Sequence, residues 1–237
     1  MEKVLVTGAT GYIGLHCIQQ LLDQGYAVNG SIRSPERSNE VFDALKAHDT
    51  STENLNLFIV DLTSDDGWNE AMEGCDYLLH VASPLALENH TEEYFVKPAV
   101  EGVERAMKFA KQNNVKKVVL TSSVAAIFET GKEKTFYDES DWSNPDSPVI
   151  QNYAKSKTLA EKAAWNYVEK EDNPFELAVI NPALVIGPSL SGDLGVSNKA
   201  IEMVVTGKMP VAIPIQFGFV DVRDVASAHI LAMKNDS

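Results

Sequence analysis

The stretch Thr7-Gly8-Ala9-Thr10-Gly11-Tyr12-Ile13-Gly14 follows the short run Lys3–Thr7 and leads into Tyr12–Gln24, a segment with helical periodicity. Its glycines are spaced GxxGxxG. Glycine at such a turn permits positive φ and lets backbone amides come close to an anion. Gly14 allows the helix to pack tightly on the strand. The helix N-terminus adds unpaired N–H groups and a partial positive charge where the pyrophosphate of a dinucleotide would lie. Glycine triplets also serve plain turns, so the weight comes from the strand-to-helix junction in which this one sits. Thr7, Gly8, Gly11, Tyr12, Ile13 and Gly14 are therefore candidate cofactor-binding residues.

Outward from this turn, β-branched runs alternate with helical stretches. Strands are predicted at Lys3–Thr7, Tyr26–Ile32, Leu55–Val60, Tyr77–Val81, Lys117–Thr121 and Glu176–Ile180. Several are apolar at consecutive positions, as strands buried on both faces are. Helices are predicted at Tyr12–Gln24, Glu36–Ala47, Glu92–Asn113 and Asn152–Glu171, with Pro98 and Gly102 interrupting and bending the third. The alternation predicts an α/β fold, a Rossmann-type doubly wound parallel sheet with helices on both faces. After Pro182 the rhythm loosens. Loops around Pro188, Gly192, Gly195, Pro210 and Pro214 surround a short helix at Asn198–Thr206, and a last helix covers Arg223–Met233. The expected division is a dinucleotide-binding domain over 1–182 and a small, incomplete substrate lobe over 183–237, interleaved with the last core strand and helix.

Cofactor preference is read at the end of the second strand. An NAD site places Asp or Glu there to accept from the ribose hydroxyls. This chain has Asn29-Gly30-Ser31-Ile32-Arg33-Ser34-Pro35-Glu36-Arg37, with no acid at the strand end. Arg33 can pair with a 2′-phosphate and stack on adenine, and Arg37 lies one helical turn further on. NADP(H) is the cofactor expected. Asp61-Leu62, after the third strand, would reach the adenine edge, although Asp also caps turns.

Tyr153 and Lys157 stand four apart, on one face of a predicted helix. Reducing a carbonyl requires a proton donor at the oxygen that gains charge. A phenol of pKa about 10 exchanges protons poorly at neutrality, and a nearby ammonium is expected to lower that value. Ser123, thirty residues earlier, ends the strand Lys117–Thr121 in the sequence Leu120-Thr121-Ser122-Ser123. Strand C-terminal ends are where this architecture places its site. There a serine can donate to the substrate carbonyl, or simply cap the backbone. Ser123, Tyr153 and Lys157 form the candidate catalytic set, with Lys157 also placed to donate to the nicotinamide ribose.

Composition narrows the function classes. Lys and Arg number 20 against 34 Asp and Glu, a formal charge of −14. That balance opposes general binding to nucleic acid or to an anionic membrane. No apolar run approaches the length of a membrane span. Met1-Glu2-Lys3 leads directly into Val4-Leu5-Val6, too short a run for a secretory signal, and the expected location is cytoplasmic. Cys17 and Cys75 stand alone, so neither a disulfide nor a metal site is expected.

With these residues in hand, the chain resembles the extended short-chain dehydrogenase/reductase superfamily, of the NAD-dependent epimerase/dehydratase kind, along nearly its whole length. It looks most like the dihydroflavonol reductase and cinnamoyl-CoA reductase group, with its microbial methylglyoxal and ketone reductases. The segments that carry the likeness are Val6–Gly14, His80-Val81-Ala82-Ser83-Pro84, Val119–Ser123 and Asp138-Glu139-Ser140-Asp141-Trp142. Tyr153–Lys157 with Ala160–Trp165, Asn181-Pro182 and Phe219–Ala226 complete them.

The resemblance implies Ser123, Tyr153 and Lys157 as the catalytic set and Arg33 and Arg37 at the 2′-phosphate. It implies further that Val81, Ala82 and Ser83 line the cofactor groove and that Pro182 helps to position the nicotinamide. Pro84, Leu85, Val124, Phe128 and Val185, beside the inferred nicotinamide site, are candidates for the substrate pocket and equally for ordinary core. Flavonoid-reducing members carry an asparagine shortly after the serine. Here the stretch is Val124-Ala125-Ala126-Ile127-Phe128, which suits a small or aryl ketone or aldehyde better. Relatives also continue beyond the last shared segment, so an incomplete substrate lobe is expected at Ser237. A homodimer through Glu92–Asn113 and Asn152–Glu171 is implied by the resemblance alone.

The leading expectation is NADPH-dependent reduction of a ketone or aldehyde, with Tyr153 as proton donor. Two alternatives remain at this point. Nucleotide-sugar epimerisation or dehydration is disfavoured by Arg33 and by Val124-Ala125, where many dehydratases have Asp-Glu. A cofactor-binding protein without turnover would need no tyrosine–lysine pair.

Overall fold

The computed structural model describes residues 1–86, 90–129, 134–172, 174–208 and 218–235. Six strands form one parallel sheet: β1 (Lys3–Val6), β2 (Ala27–Ile32), β3 (Leu55–Ile59), β4 (Tyr77–His80), β5 (Lys117–Thr121) and β6 (Glu176–Ile180). Their order across the sheet is β3-β2-β1-β4-β5-β6. The chain winds outward from β1 to β3 and then returns to place β4 on the other side of β1. The crevice of a doubly wound sheet opens at that reversal.

Helices cover both faces because each buried strand splits its side chains between them. Leu5, Leu78, Val118, Leu120 and Leu177 point into one core with Trp68, Met72, Met107 and Phe109. Val4, Val6, Leu79 and Val119 point into the other with Leu15, Ile18, Leu21, Leu45, Ile230 and Met233. The first core is closed by α3 (Trp68–Met72), α4 (Glu92–Gln112) and α5 (Asn152–Lys170); the second by α1 (Tyr12–Asp23), α2 (Ser38–Ala47) and α7 (Val222–Lys234). Each fully buried leucine or isoleucine contributes about 1.5–3 kcal/mol, so strands apolar on both faces favour this two-sided covering over any one-sided sheet.

The interruption expected at Pro98 and Gly102 does not occur, and α4 runs unbroken from Glu92 to Gln112 with Pro98 inside it. Gly102 has a packing reason instead. A Cβ there would lie 3.0 Å from Leu62 Cδ2 and 3.1 Å from Leu62 Cβ, so its absence lets the chain after β3 rest on the helix. The helix expected from Glu36 begins as a 3-10 turn at Pro35–Arg37 before α2 starts at Ser38. The short α3 was not predicted, since five residues carry too little periodicity to read.

Beyond β6, β7 (Leu184–Ile186) and β8 (Phe219–Asp221) pair in parallel as a separate two-stranded sheet, which the sequence did not suggest. The helix α6 (Gly195–Val205) begins at Gly195, three residues before the expected start. The loops expected around Pro210 and Pro214 lie outside the described residues. Among the described residues, no helix is long and apolar enough to cross a membrane.

Candidate active site

The glycine turn sits at the sheet's switch point, between the ends of β1 and β4. Gly8 adopts φ +74°, and a Cβ on it would stand 3.3 Å from Ala82 Cα. A side chain at Gly14 would place its Cβ 2.3 Å from Gly8 O, a backbone atom that cannot move aside. Gly11 caps α1 with extended backbone and no side-chain hydrogen bond, so the first amides of the helix face the crevice without a protein cap. Gly8 N donates to Ser31 Oγ (2.9 Å) and Ala9 N to Ser31 O (2.8 Å), fixing the turn against β2. Thr7 Oγ1 accepts from Val81 N (2.9 Å) and Ala82 N (3.0 Å), which ties the turn to the segment after β4. These features form a cradle suited to a pyrophosphate.

At the edge of the crevice, Arg33 is exposed and its charge lowers the pKa of Asp61. The Arg37 guanidinium is held by Glu40, with Nη2 2.7 Å from Oε2 and Nε 3.0 Å from Oε1. The Asp61 carboxylate accepts from Thr63 N at 2.7 Å, an Asx turn whose hydrogen bonds are the main reason its pKa is lowered. Leu62 O accepts from Arg105 Nη1 (2.8 Å). Of the two arginines expected here, Arg37 is ion-paired with Glu40 and Arg33 makes no ion pair among the described residues.

Ser123, Tyr153 and Lys157 come together at the ends of β5 and β6. Ser123 is buried and caps the 3-10 turn Val124–Ala126, accepting from Ala125 N (3.2 Å). Capping does not exhaust it, because its hydroxyl also hydrogen-bonds the Tyr153 side chain. The Phe95 ring stands edge-on to Tyr153, centroids 6.2 Å apart. Lys157 Nζ donates to Thr121 O (3.2 Å) and lies 6.0 Å from the Tyr153 ring centre. Val124 N donates to Pro182 O (3.1 Å), joining the two strand ends.

The electrostatics differ from expectation at the tyrosine. Burial raises the Tyr153 pKa above that of an ordinary phenol, opposed by the Ser123 hydrogen bond, and Lys157 does not lower it. At 6 Å from the ring the ammonium addresses Thr121 O instead. Burial pulls Lys157 itself down to about 8, opposed by the charge of Glu161. His80, fully buried, is pushed down to about 3 by burial and then by Lys157, so it stays neutral beside the ammonium.

Of the expected pocket residues, Pro84 and Val124 are half-buried, while Leu85 and Phe128 are 52% and 46% exposed. Val185 lies in β7, paired with Val220. Sequence reasoning missed Ser31, His80, Glu161 and Asn181. A run of polar residues inside a strand buried on both faces pointed to Ser31, and the spacing 153–157–161 pointed to Glu161. Tyr12 has a second use, since its hydroxyl accepts from Asn198 Nδ2 (2.9 Å) and its ring packs on Gly195.

A cinnamoyl-CoA reductase, CAD2, from Medicago truncatula is 38% identical over 241 residues, spanning 99% of this chain and 73% of that protein. The structure of yeast methylglyoxal/isovaleraldehyde reductase Gre2 complexed with NADPH superposes with a TM-score of 0.83 at 32% identity, over 98% of this chain and 74% of that one. Vestitone reductase from alfalfa gives a TM-score of 0.85 at 34% identity, over 100% and 74%. Residues 4–237 match the NAD dependent epimerase/dehydratase family, and the chain belongs to that family.

Proposed function

We propose that this protein reduces the carbonyl group of a small ketone or aldehyde to an alcohol with NADPH, Tyr153 giving the proton. The observation that carries the reading is the meeting of the Ser123 and Tyr153 hydroxyls beside Lys157, at the switch-point crevice of the sheet.

The residues present fit the cofactor. The cradle at Gly8, Gly11 and Gly14 has no room for side chains at Gly14 and leaves helix amides facing outward. Thr7, Tyr12 and Ile13 complete it, and Val81, Ala82, Ser83 and Pro182 would hold the nicotinamide half. Arg33 is the residue for the 2′-phosphate, with Arg37 second and Asp61 and Leu62 near the adenine. The yeast and Candida albicans Gre2 structures similar to this one are complexes with NADPH. When bound, the reduced nicotinamide supplies the hydride that adds to the carbonyl carbon.

Ser123 and Tyr153 present two donors that converge on one oxygen, where negative charge develops. Because burial raises the Tyr153 pKa, the phenol stays protonated at neutral pH and releases its proton only to the more basic alkoxide. Lys157 remains largely an ammonium at neutral pH and orients the ribose hydroxyls. Pro84, Leu85, Val124, Phe128 and Val185 give the substrate side an apolar character, suited to a small aliphatic or aryl carbonyl compound.

The test is a carbonyl panel followed by NADPH absorbance, with Tyr153→Phe as the control. The variant is expected to lose activity by about 10²–10⁴-fold while binding NADPH as the parent does. A fully active Tyr153→Phe enzyme, or a parent that fails to bind NADPH, would overturn the proposal.

A further inference from the structure

Behind the proposed catalytic residues, a small cavity is lined by Ala82, Ser83, Thr121, Ser122, Lys157 and Glu161, with Ala99 and Val103 of α4 closing it. Three polar features meet here. Lys157 and Glu161 are both buried. Ser122 Oγ is buried and has no hydrogen-bond partner among the described residues, so the chamber is a polar one and not a dry void. The carboxylate does not float in it. Glu161 Oε2 accepts from Asn181 Nδ2 (2.8 Å), and the same amide nitrogen donates to Ser123 O (3.2 Å). Asn181 thereby couples the acid to the backbone of the candidate catalytic serine.

We infer that Glu161 is a positioning residue for the proposed active site, its buried carboxylate serving as the fixed counter-charge to Lys157 across their shared cavity. The inference rests on the reading of Lys157 as part of that site. A buried ammonium loses its hydration and needs compensation from the protein. Thr121 O supplies one hydrogen bond but no net charge.

The surroundings leave this task to Glu161. From β4, His80 is neutral; its Nδ1 meets Thr7 Oγ1 at 3.1 Å. From α7, His229 meets Val225 O through Nδ1 (2.7 Å) and the Thr121 hydroxyl through Nε2 (2.6 Å), and burial lowers its pKa. From α4, only the apolar Ala99 and Val103 face the cavity. On α5 itself, Tyr153 is protonated, and Glu161 is the charge that opposes the effect of burial on Lys157. The spacing Tyr153, Lys157, Glu161 puts proton donor, ammonium and counter-charge on one helix face in successive turns.

The experiment reads Lys157 directly. Lysine side chains are labelled with ¹³C in the full chain, and Lys157 is assigned by its loss in Lys157→Met. Its titration is then followed in the parent, in Glu161→Gln and in Glu161→Asp. Lys157 is expected to titrate about one pH unit or more lower in Glu161→Gln, and close to the parent in Glu161→Asp, which keeps the charge. The alkaline limb of kcat/KM should move to lower pH by the same amount. Should the Gln variant fail to fold, Glu161→Met, which removes the charge and needs no hydrogen bond, carries the same expectation.

An unchanged Lys157 titration in the charge-removed variant overturns the inference, even if the enzyme turns over carbonyl compounds. The titration needs no substrate, so absence of turnover by the parent would instead sink the reductase reading and leave this result standing.

Discussion

Thr7 Oγ1 lies 3.1 Å from His80 Nδ1, and the direction of that hydrogen bond is set by its neighbours. The threonine oxygen already accepts from Val81 N and Ala82 N, so its own proton goes to the histidine. His80 therefore carries its proton on Nε2, and one hydroxyl joins the end of β1 to the end of β4. Thr7→Val keeps the shape and removes all three bonds. Each buried group left unpaired costs about 1–3 kcal/mol, so urea denaturation should show a loss of about 3 kcal/mol. NADPH should bind more weakly as the segment Val81–Ser83 loosens. A variant as stable as the parent would show that this link is dispensable.

Acid stability follows from the same histidine. Folded His80 stays neutral down to about pH 3, whereas in the unfolded chain it takes up a proton near its ordinary value of about 6.5. Between those values the unfolded state binds more protons, so stability is lost as pH falls. The slope approaches about 1.4 kcal/mol per pH unit for this one group. Burial lowers His16 and His229 as well, adding loss in the same direction. Unfolding free energies at several values between about pH 6.5 and pH 4.5 should fall with pH, and His80→Gln should flatten the dependence. An equal slope in the variant would assign the effect elsewhere.

The two arginines at the edge of the crevice should behave differently. Arg37 is engaged by Glu40 through both Nε and Nη2, while Arg33 is exposed and acts on Asp61 through its field. A phosphate must compete with Glu40 for Arg37, and finds Arg33 open. Arg33→Ser is expected to weaken NADPH binding about 10–100-fold, the worth of a charge-assisted hydrogen bond, with NADH affected far less. Arg37→Ser should have a smaller effect. Equal losses from both substitutions would show that Arg37 leaves Glu40 on binding.

Much of this architecture was legible because its signals are local. β5 and β6 appear with the bounds read from sequence, and the other four sheet strands differ by a residue at one end or the other. Consecutive apolar residues between turn signals read as strands buried on both faces. Failures came where local signals were short or ambiguous. The strands β7 and β8 are three residues each, too short for a periodic signal, and pair with each other across a gap of more than thirty residues. Pro98 read as an interruption that bends the helix Glu92–Asn113, yet the helix is continuous through it, with Phe95, Ala99, Val103 and Ala106 buried on one face. Tertiary burial there outweighs the lost backbone bond.

By itself, the sequence determined the alternation of strands and helices, the glycine turn between β1 and α1, and the placing of Tyr153 and Lys157 on one helix face. Those follow from steric rules and periodicities that act over a few residues. Only the tertiary structure decided what surrounds each group. It packs the half-buried Tyr153 against Phe95, and the loss of solvent around the phenol raises a pKa expected to fall. It spends Arg37 on Glu40, and it encloses Glu161 in the cavity of Lys157. Desolvation and pairing depend on what distant segments bring into contact, and the spacing of residues along a chain does not carry that information.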